Sequence, residues 1–426
     1  MTAETAAICA VAVLLIPLAF AGLALMNAGF VRSRGAAHVL LTTLAAAAIA
    51  ALAYVVCGYS FQAFPGRPAF AFFLGDKQWD WIGADAWFLR GLDFDGSPLG
   101  LAACSGMFAA AWTALIPIGA AAERWRWSAA ATVAAVIGGW IYPVFGHWVW
   151  GGGWLAQLGA NYGAGSGFID GGAGAIQVTG GLAALSIAWI TGPRRGKYSP
   201  EGVPVAFPGH NAIFVLFGGL LALAGWLGLN SAAAILDYNV PPPRLALIAI
   251  NTVLCAGSAL LSSALITRAR FSKPDASLSA NGWTGGLVAS SAAAAFLAPA
   301  GAIIVGLAAG ALAPYSIEWL EVHFGIDDPG GAISVHAVCG LWGLLAAGMF
   351  GRFPGGASGQ WIAQVAGIAT LLGCVFPLTY LICWALNVIV PFRLPIDGER
   401  QGADLHELGA NAYPELVSHL EDFTQR

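Results

Sequence analysis

The run Ala332-Ile333-Ser334-Val335-His336-Ala337-Val338-Cys339-Gly340 sets an imidazole at the start of an apolar stretch that continues to about residue 350. An ionisable ring at membrane depth is costly, so it faces a pathway, a cavity or a polar partner. Gln177 stands in a comparable setting. Asp170 precedes it by seven residues, and Asp328 precedes His336 by eight. At 1.5 Å per residue, each carboxylate lies roughly 11–12 Å, about two helical turns, from the polar side chain behind it. If the two segments face each other, Gln177 and His336 meet near one axis. Imidazole exchanges a proton near neutral pH, whereas a carboxamide hydrogen-bonds without titrating. The plainer readings are a ring bonded to a backbone carbonyl for His336 and an inter-helix amide contact for Gln177. Asp170 and Asp328, at helix starts, suit the capping of backbone N–H groups, a structural role.

The elements that position these side chains follow from composition. Of 426 residues, 58% are hydrophobic and 9% charged, against roughly 25% charged in soluble domains. A mean hydropathy of +0.74 and 57 glycines indicate an all-α integral membrane protein whose helices approach closely. Spanning-length apolar runs occur at about 6–30, 38–60, 98–121, 128–150, 171–192, 208–230, 243–266, 278–298, 300–320, 332–351 and 361–391, about eleven helices. The boundary near Ala298-Pro299 is the weakest of them. The first run follows Thr2-Ala3-Glu4 without a basic region and reads as a retained helix rather than a signal peptide.

Basic residues occupy every second connection: Arg32 and Arg34, Arg124 and Arg126, Arg194 to Lys197, Arg268 to Lys273, and Arg393. By the positive-inside rule the N-terminus is outside and the tail cytoplasmic, in the cell's inner (plasma) membrane. The chain divides into a transmembrane domain, 1–392, and a polar tail, 393–426. Spans one to five and six to ten read as two inverted five-helix halves, with one extra helix. An odd number of spans per half reverses its orientation and sets a site at the midplane. The outer connection 61–97, rich in Trp and Phe, packs over the mouth or forms an interfacial aromatic belt.

The seven cysteines fall singly in apolar segments, with no metal-binding or disulfide pattern. No cofactor, metal cluster, phosphate loop or catalytic triad is legible, so enzyme readings fail. A net charge of −4 without a basic patch gives nucleic acid no footing.

Several segments, in register along the chain, resemble the ammonium transporter (Amt/Mep/Rh) family. They are Val55-Val56-Cys57-Gly58-Tyr59-Ser60; Ala122-Glu123-Arg124 with Ser128; Tyr142-Pro143, His147 and Trp148-Val149-Trp150-Gly151-Gly152-Gly153; Phe168-Ile169-Asp170; Gly225-Trp226, Gly228 and Asn230; Asp327-Asp328-Pro329 and the His336 segment; and, in the tail, Gly402-Ala403-Asp404, Gly409 and Asn411-Ala412-Tyr413. The resemblance implies a homotrimer with one pore per subunit. It also implies an outer site of aromatic rings and a hydroxyl, a phenylalanine gate, and a pore lined by two histidines. A tail that transmits regulation, through a PII-type protein at the cytoplasmic face, is implied as well. Glu123 with Arg124 and Arg126 reads mainly as a cytoplasmic anchor, and His147 as structural.

This chain departs from that pattern. Trp150 matches the recruitment tryptophan. The gate phenylalanines fall on Ala109, with Phe108 beside it, and on Leu229, and the recruitment serine falls on Ala233. The first pore histidine falls on Gln177 when aligned on Gly180-Gly181, or on Val178 when counted from Asp170; the second is His336. The substitutions enlarge the vestibule and make it less polar, with Trp112 one turn below Ala109 to refill it. The resemblance therefore implies a transporter or channel for ammonium or ammonia. The alternatives are carriage of a different or larger small solute, and a non-conducting ammonium sensor acting through its tail.

Overall fold

The computed structural model describes residues 1–353 and 358–414. Ten helices are long and apolar enough to cross a bilayer: Ala3–Phe30, Ser33–Gln62, Pro98–Ala121, Trp127–Tyr162, Ala173–Thr191, Ala212–Tyr238, Pro242–Phe271, Pro299–Phe324, Ile333–Phe350 and Gln360–Ile389. The eighth expected span, 278–298, differs. Ala276–Ser290 is only 15 residues long, about 22 Å at 1.5 Å per residue, short of a ~30 Å hydrocarbon core. Residues beyond Ser290 turn instead of spiralling until Pro299 starts the next helix with Ala298 at its N-cap. The boundary expected at Ala298-Pro299 is thus observed, but the helix before it ends eight residues early.

The unwound stretch survives because protein, not lipid, satisfies its backbone. The Asn251 amide donates to the carbonyls of Ala294 and Leu297, at 2.8 and 2.9 Å. Gly171 N–H reaches the Ala292 carbonyl and Arg352 N–H the Phe296 carbonyl. Counting Ala276–Ser290 as the eighth segment, the order matches two sets of five plus one.

Two corresponding pairs of spans pack on each other, the first with the sixth and the fifth with the tenth. In the first–sixth pair, a Cβ at Gly22 would lie 2.6 Å from the Gly218 carbonyl oxygen, so only glycine permits that approach. The repeat is also local. The Asp170 carboxylate accepts from the N–H groups of Gly174 and Ala175, four and five residues on. Asp328 accepts from Ala332 and Ile333, again four and five residues on. Both spans then open with a wide i→i+5 turn, Ala173–Val178 and Ile333–Val338. Such turns cluster at functional sites because they re-aim side chains.

Within the connection 63–97, an antiparallel hairpin pairs Ala69–Leu74 with Lys77–Gly83, the only sheet among the described residues. Trp81 packs on Trp148 with ring centroids 5.0 Å apart, and Trp148 Nε1 donates to the Trp81 carbonyl. The aromatic connection is therefore tied to the end of the fourth span. At the opposite end, the described part of the tail folds back on the bundle. Asp404, fully buried, accepts from the N–H groups of Ala37 and His38 and so caps the second span. Glu407 accepts from Trp127 N–H at 2.6 Å and lies 3.2 Å from His38 Nε2, joining the second and fourth spans. Tail residues 415–426 lie outside the described residues.

Candidate functional site

The two wide turns bring Gln177 and His336 together: Nδ1 of His336 lies 2.6 Å from Oε1 of Gln177. Both residues are buried. Two glycines set their separation, each four residues past one of the pair. Gly181 faces Ala337, and Gly340 faces Cγ2 of Val178. Val178 therefore packs on the crossing while Gln177 meets the imidazole. With Oε1 as acceptor, the ring proton sits on Nδ1 and Nε2 is left as an acceptor. The Gln177 Nε2 and Trp112 Nε1 donors are buried without a partner.

Cavities flank this contact. On the hairpin side, an enclosed space of about 30 Å³ is lined by Trp150, Ala109, Leu229 and Ala233, together with Tyr54, Tyr59, Tyr142, Ile176 and Asp237. That is room for one or two water-sized molecules. All four residues expected at the outer vestibule from the sequence thus line one chamber. The space given up by small side chains at 109, 229 and 233 is not an open bowl. Trp112 is fully buried and meets Trp226 edge-on, centroids 4.5 Å apart. Phe108 turns away toward Phe20. Beside the chamber lies a wider cavity that shares Phe64, Trp150, Leu236 and Asp237 with it.

Trp150 is held in place. Its Nε1 donates to the Asp170 carbonyl at 2.7 Å, and the Tyr238 hydroxyl donates to the same oxygen at 2.9 Å. The Asp170 carboxylate is itself consumed by N–H groups of Gly172, Gly174 and Ala175, so both expected carboxylates act as caps. His147 is likewise engaged, its Nδ1 2.8 Å from the Gln62 carbonyl oxygen.

On the tail side, His336 opens into a small cavity with Ile116, Met26, Asn27, Asn281 and Thr284. Phe30 and Asn281 are shared with a broad polar vestibule lined by Arg194, Lys197, Asp327 and Asp328. Along the third span, Ala109 faces the outer chamber and Ile116 the inner one, with Trp112 between them. The outer chamber reaches Ile176, next to Gln177, the inner cavity reaches His336, and the two share no lining residue.

Buried charges brace the tail-side rim. Arg194 contacts Asp327 Oδ2 at 2.9 Å and Glu123 Oε1 at 2.7 Å, and Glu123 also pairs with Arg32. Arg124 donates to the carbonyls of Gly192 and Asp327. Burial would raise the Asp327 carboxyl, but Arg124 and Arg194 outweigh it and bring it down to about 2. Glu123, read from sequence mainly as a cytoplasmic anchor, is buried and joins Arg32, after the first span, to Arg194, after the fifth.

Sequence reasoning missed Asp237, Tyr54 and Tyr142. Asp237 was findable: it is four residues beyond Ala233, on the same helical face, at the end of an apolar run.

Comparison with known proteins supplies the remaining finding. A family model described as the Ammonium Transporter Family matches residues 6–413. The chain is 35% identical over 420 residues to the ammonium transporter Amt2 of Archaeoglobus fulgidus, covering 93% of this chain and 85% of that one. It is 31% identical to the ammonium transporter of Bacillus subtilis, covering 95% and 97%. Among solved structures, a "Sensor Amt Protein" superposes with a TM-score of 0.84 at 27% identity, covering 95% and 98%. Mep2 of Saccharomyces cerevisiae shares the fold, with a TM-score of 0.80 at 23% identity over 93% and 90% of the chains.

Proposed function

The chain belongs to the ammonium transporter family, and from that membership we propose that it carries ammonium or ammonia across a membrane along the line from Trp150 to His336. The observation that supports this reading is the buried Gln177–His336 contact, with His336 on the inner cavity and Ile176, next to Gln177, on the outer one. Trp150, Ala109, Leu229 and Ala233 form the outer chamber of the path, and Gln177 with His336 its narrowest point.

The polar groups along the path are sorted by what they accept. In the outer chamber, the Asp237 carboxylate and the Tyr59 hydroxyl can accept hydrogen bonds, and aromatic faces line the wall. Acceptors and π faces suit a cation with N–H donors. At the narrow point, the unpaired Gln177 Nε2 and Trp112 Nε1 are donors. A donor needs a lone pair; ammonia has one and ammonium has none. The order therefore supports entry as ammonium and passage as ammonia. Because Gln177 cannot titrate, the pair cannot hand a proton from ring to ring, so the proton stays behind or leaves by another route.

Other parts of the reading follow the family. The hairpin side faces outward and the tail side the cytoplasm, in the plasma (inner) membrane, supported by the alternation of basic connections. The protein assembles as a homotrimer. The division at residue 393 marks a regulatory tail whose contacts with Ala37, His38 and Trp127 support docking of a PII-type protein there. No enzymatic step is involved.

Uptake of ammonium and methylammonium into proteoliposomes tests the reading. Accumulation above empty vesicles is expected. Saturable ammonium binding with flux equal to empty vesicles would instead favour a non-conducting sensor. A chamber of about 30 Å³ weighs against a larger solute.

A further inference from the structure

We propose that Asp237 is the recruiting group of the outer chamber, binding a small monovalent cation with N–H donors before it reaches Gln177 and His336. This rests on the proposal that the chamber is the entrance of the ammonium path.

Asp237 lines both the wide outer cavity and the enclosed chamber beside it, so it stands at the passage between them. Among the described residues its carboxylate makes no hydrogen bond and no ion pair. No Lys, Arg or His side chain lines either cavity, and Met1 lies at the rim of the outer one. An uncompensated carboxylate at the end of a membrane span is costly, and a bound cation would relieve that cost. The neighbouring carboxylate, Asp170, is already saturated by backbone N–H groups, which leaves Asp237 as the free acceptor.

The surroundings fix the class of ligand. One free carboxylate, with no cluster of three or more metal-ligating side chains among the described residues, favours a single positive charge. Tyr54, Tyr142 and Trp150 present aromatic walls, which attract a cation through their faces. Tyr59, buried with its hydroxyl unpartnered, offers a second acceptor. A volume of about 30 Å³ admits ammonium and excludes tetramethylammonium. Ala233, one turn along the same helix, brings no hydroxyl to the chamber, so Asp237 supplies the polar contact from a turn further out.

Calorimetric titration of ammonium chloride into the full-length protein in detergent tests this, with Asp237→Asn and Asp237→Glu alongside. Removing the charge is expected to weaken ammonium binding roughly ten-fold or more, while Asp237→Glu retains most of it and tetramethylammonium does not bind. Equal affinity in Asp237→Asn, or no binding by the unmodified protein, overturns the proposal. If Asp237→Asn fails to fold, carbodiimide labelling of Asp237 in the unmodified protein, read by peptide mass, replaces it. Protection by ammonium but not tetramethylammonium supports the assignment, and equal labelling with and without ammonium overturns it. Flux separates the two readings. Transport with unchanged Asp237→Asn binding sinks only the role of Asp237. Asp237-dependent binding without flux sinks only transport.

Discussion

Oε1 of Gln177 meets Nδ1 of His336 at 2.6 Å, although the two residues lie 159 positions apart. The contact is fixed by backbone rather than by side-chain reach. Gly181 against Ala337 and Gly340 against Val178 bring the fifth and tenth spans together on either side of it. A carboxamide suits either neutral tautomer of the ring, because it carries both a donor and an acceptor. It holds the imidazole without exchanging its proton.

The crossing should therefore be sensitive to one methyl group, unequally at its two glycines. A Cβ at Gly181 would come within 2.9 Å of the Ala337 Cα, which is backbone and cannot yield, whereas one at Gly340 meets a Val178 methyl at 2.7 Å. Gly181→Ala is expected to cost about 1–3 kcal/mol by overpacking, and Gly340→Ala less. Thermal unfolding in detergent checks the order; a larger loss at Gly340 contradicts it.

Replacing Gln177 by histidine restores a second titrating ring beside His336. Gln177→His is expected to increase the charge moved per ammonium carried, measured as current on solid-supported membranes against tracer uptake. Gln177→Leu, which removes the hydrogen bond and adds no titrating group, should not. Identical charge-to-uptake ratios in all three proteins would reject a role for this position in proton handling.

Acid stability depends on Asp327. Its carboxyl, held at about 2 when folded, sits near 3.9 in an unfolded chain. A lowered pKa stabilises the fold at pH above about 3.9, and that contribution fades as pH falls toward 2. Asp327→Asn should unfold at lower temperature near neutral pH and lose less on acidification than the unmodified protein. Breaking the buried pairs with Arg194 and Arg124 is expected to cost roughly 3–5 kcal/mol. Melting curves recorded between pH 6 and 2 report both effects.

Asp404 is one of several residues that tie the tail to the bundle. Asp404→Ala strips the cap from the Ala37 and His38 N–H groups, at a cost of about 0.5–2 kcal/mol. Faster proteolysis near residue 404, with the transmembrane part intact, is the expected outcome. Unchanged cleavage would mean that Arg393, which donates to the Thr191 and Pro193 carbonyls, and Glu407 hold the tail without it.

Much of this was legible in the sequence. Spans one to seven and nine to eleven follow from apolar run length, which bilayer thickness dictates. The Asp170 and Asp328 caps follow from a carboxylate at a helix start. The eighth span misled because Ala292 to Leu297 are as apolar as a helix interior. What unwinds them is distant: Asn251 takes their carbonyls, a tertiary contact with no local signal. The burial of Glu123 was not legible for a related reason, since its partners Arg32 and Arg194 are 91 and 71 residues away. Asp237 was visible but unread: an apolar run hides a single carboxylate at its end unless the helical face is followed from Ala233.

The most direct test of the account is ammonium uptake by proteoliposomes carrying the unmodified protein or His336→Ala, each verified as folded by size-exclusion profile. Uptake above empty vesicles is expected for the unmodified protein, falling by roughly ten-fold or more in the variant, the scale set by losing about 1.4 kcal/mol or more at the narrowest point. Equal uptake by the two proteins would contradict the claim that the path runs past His336.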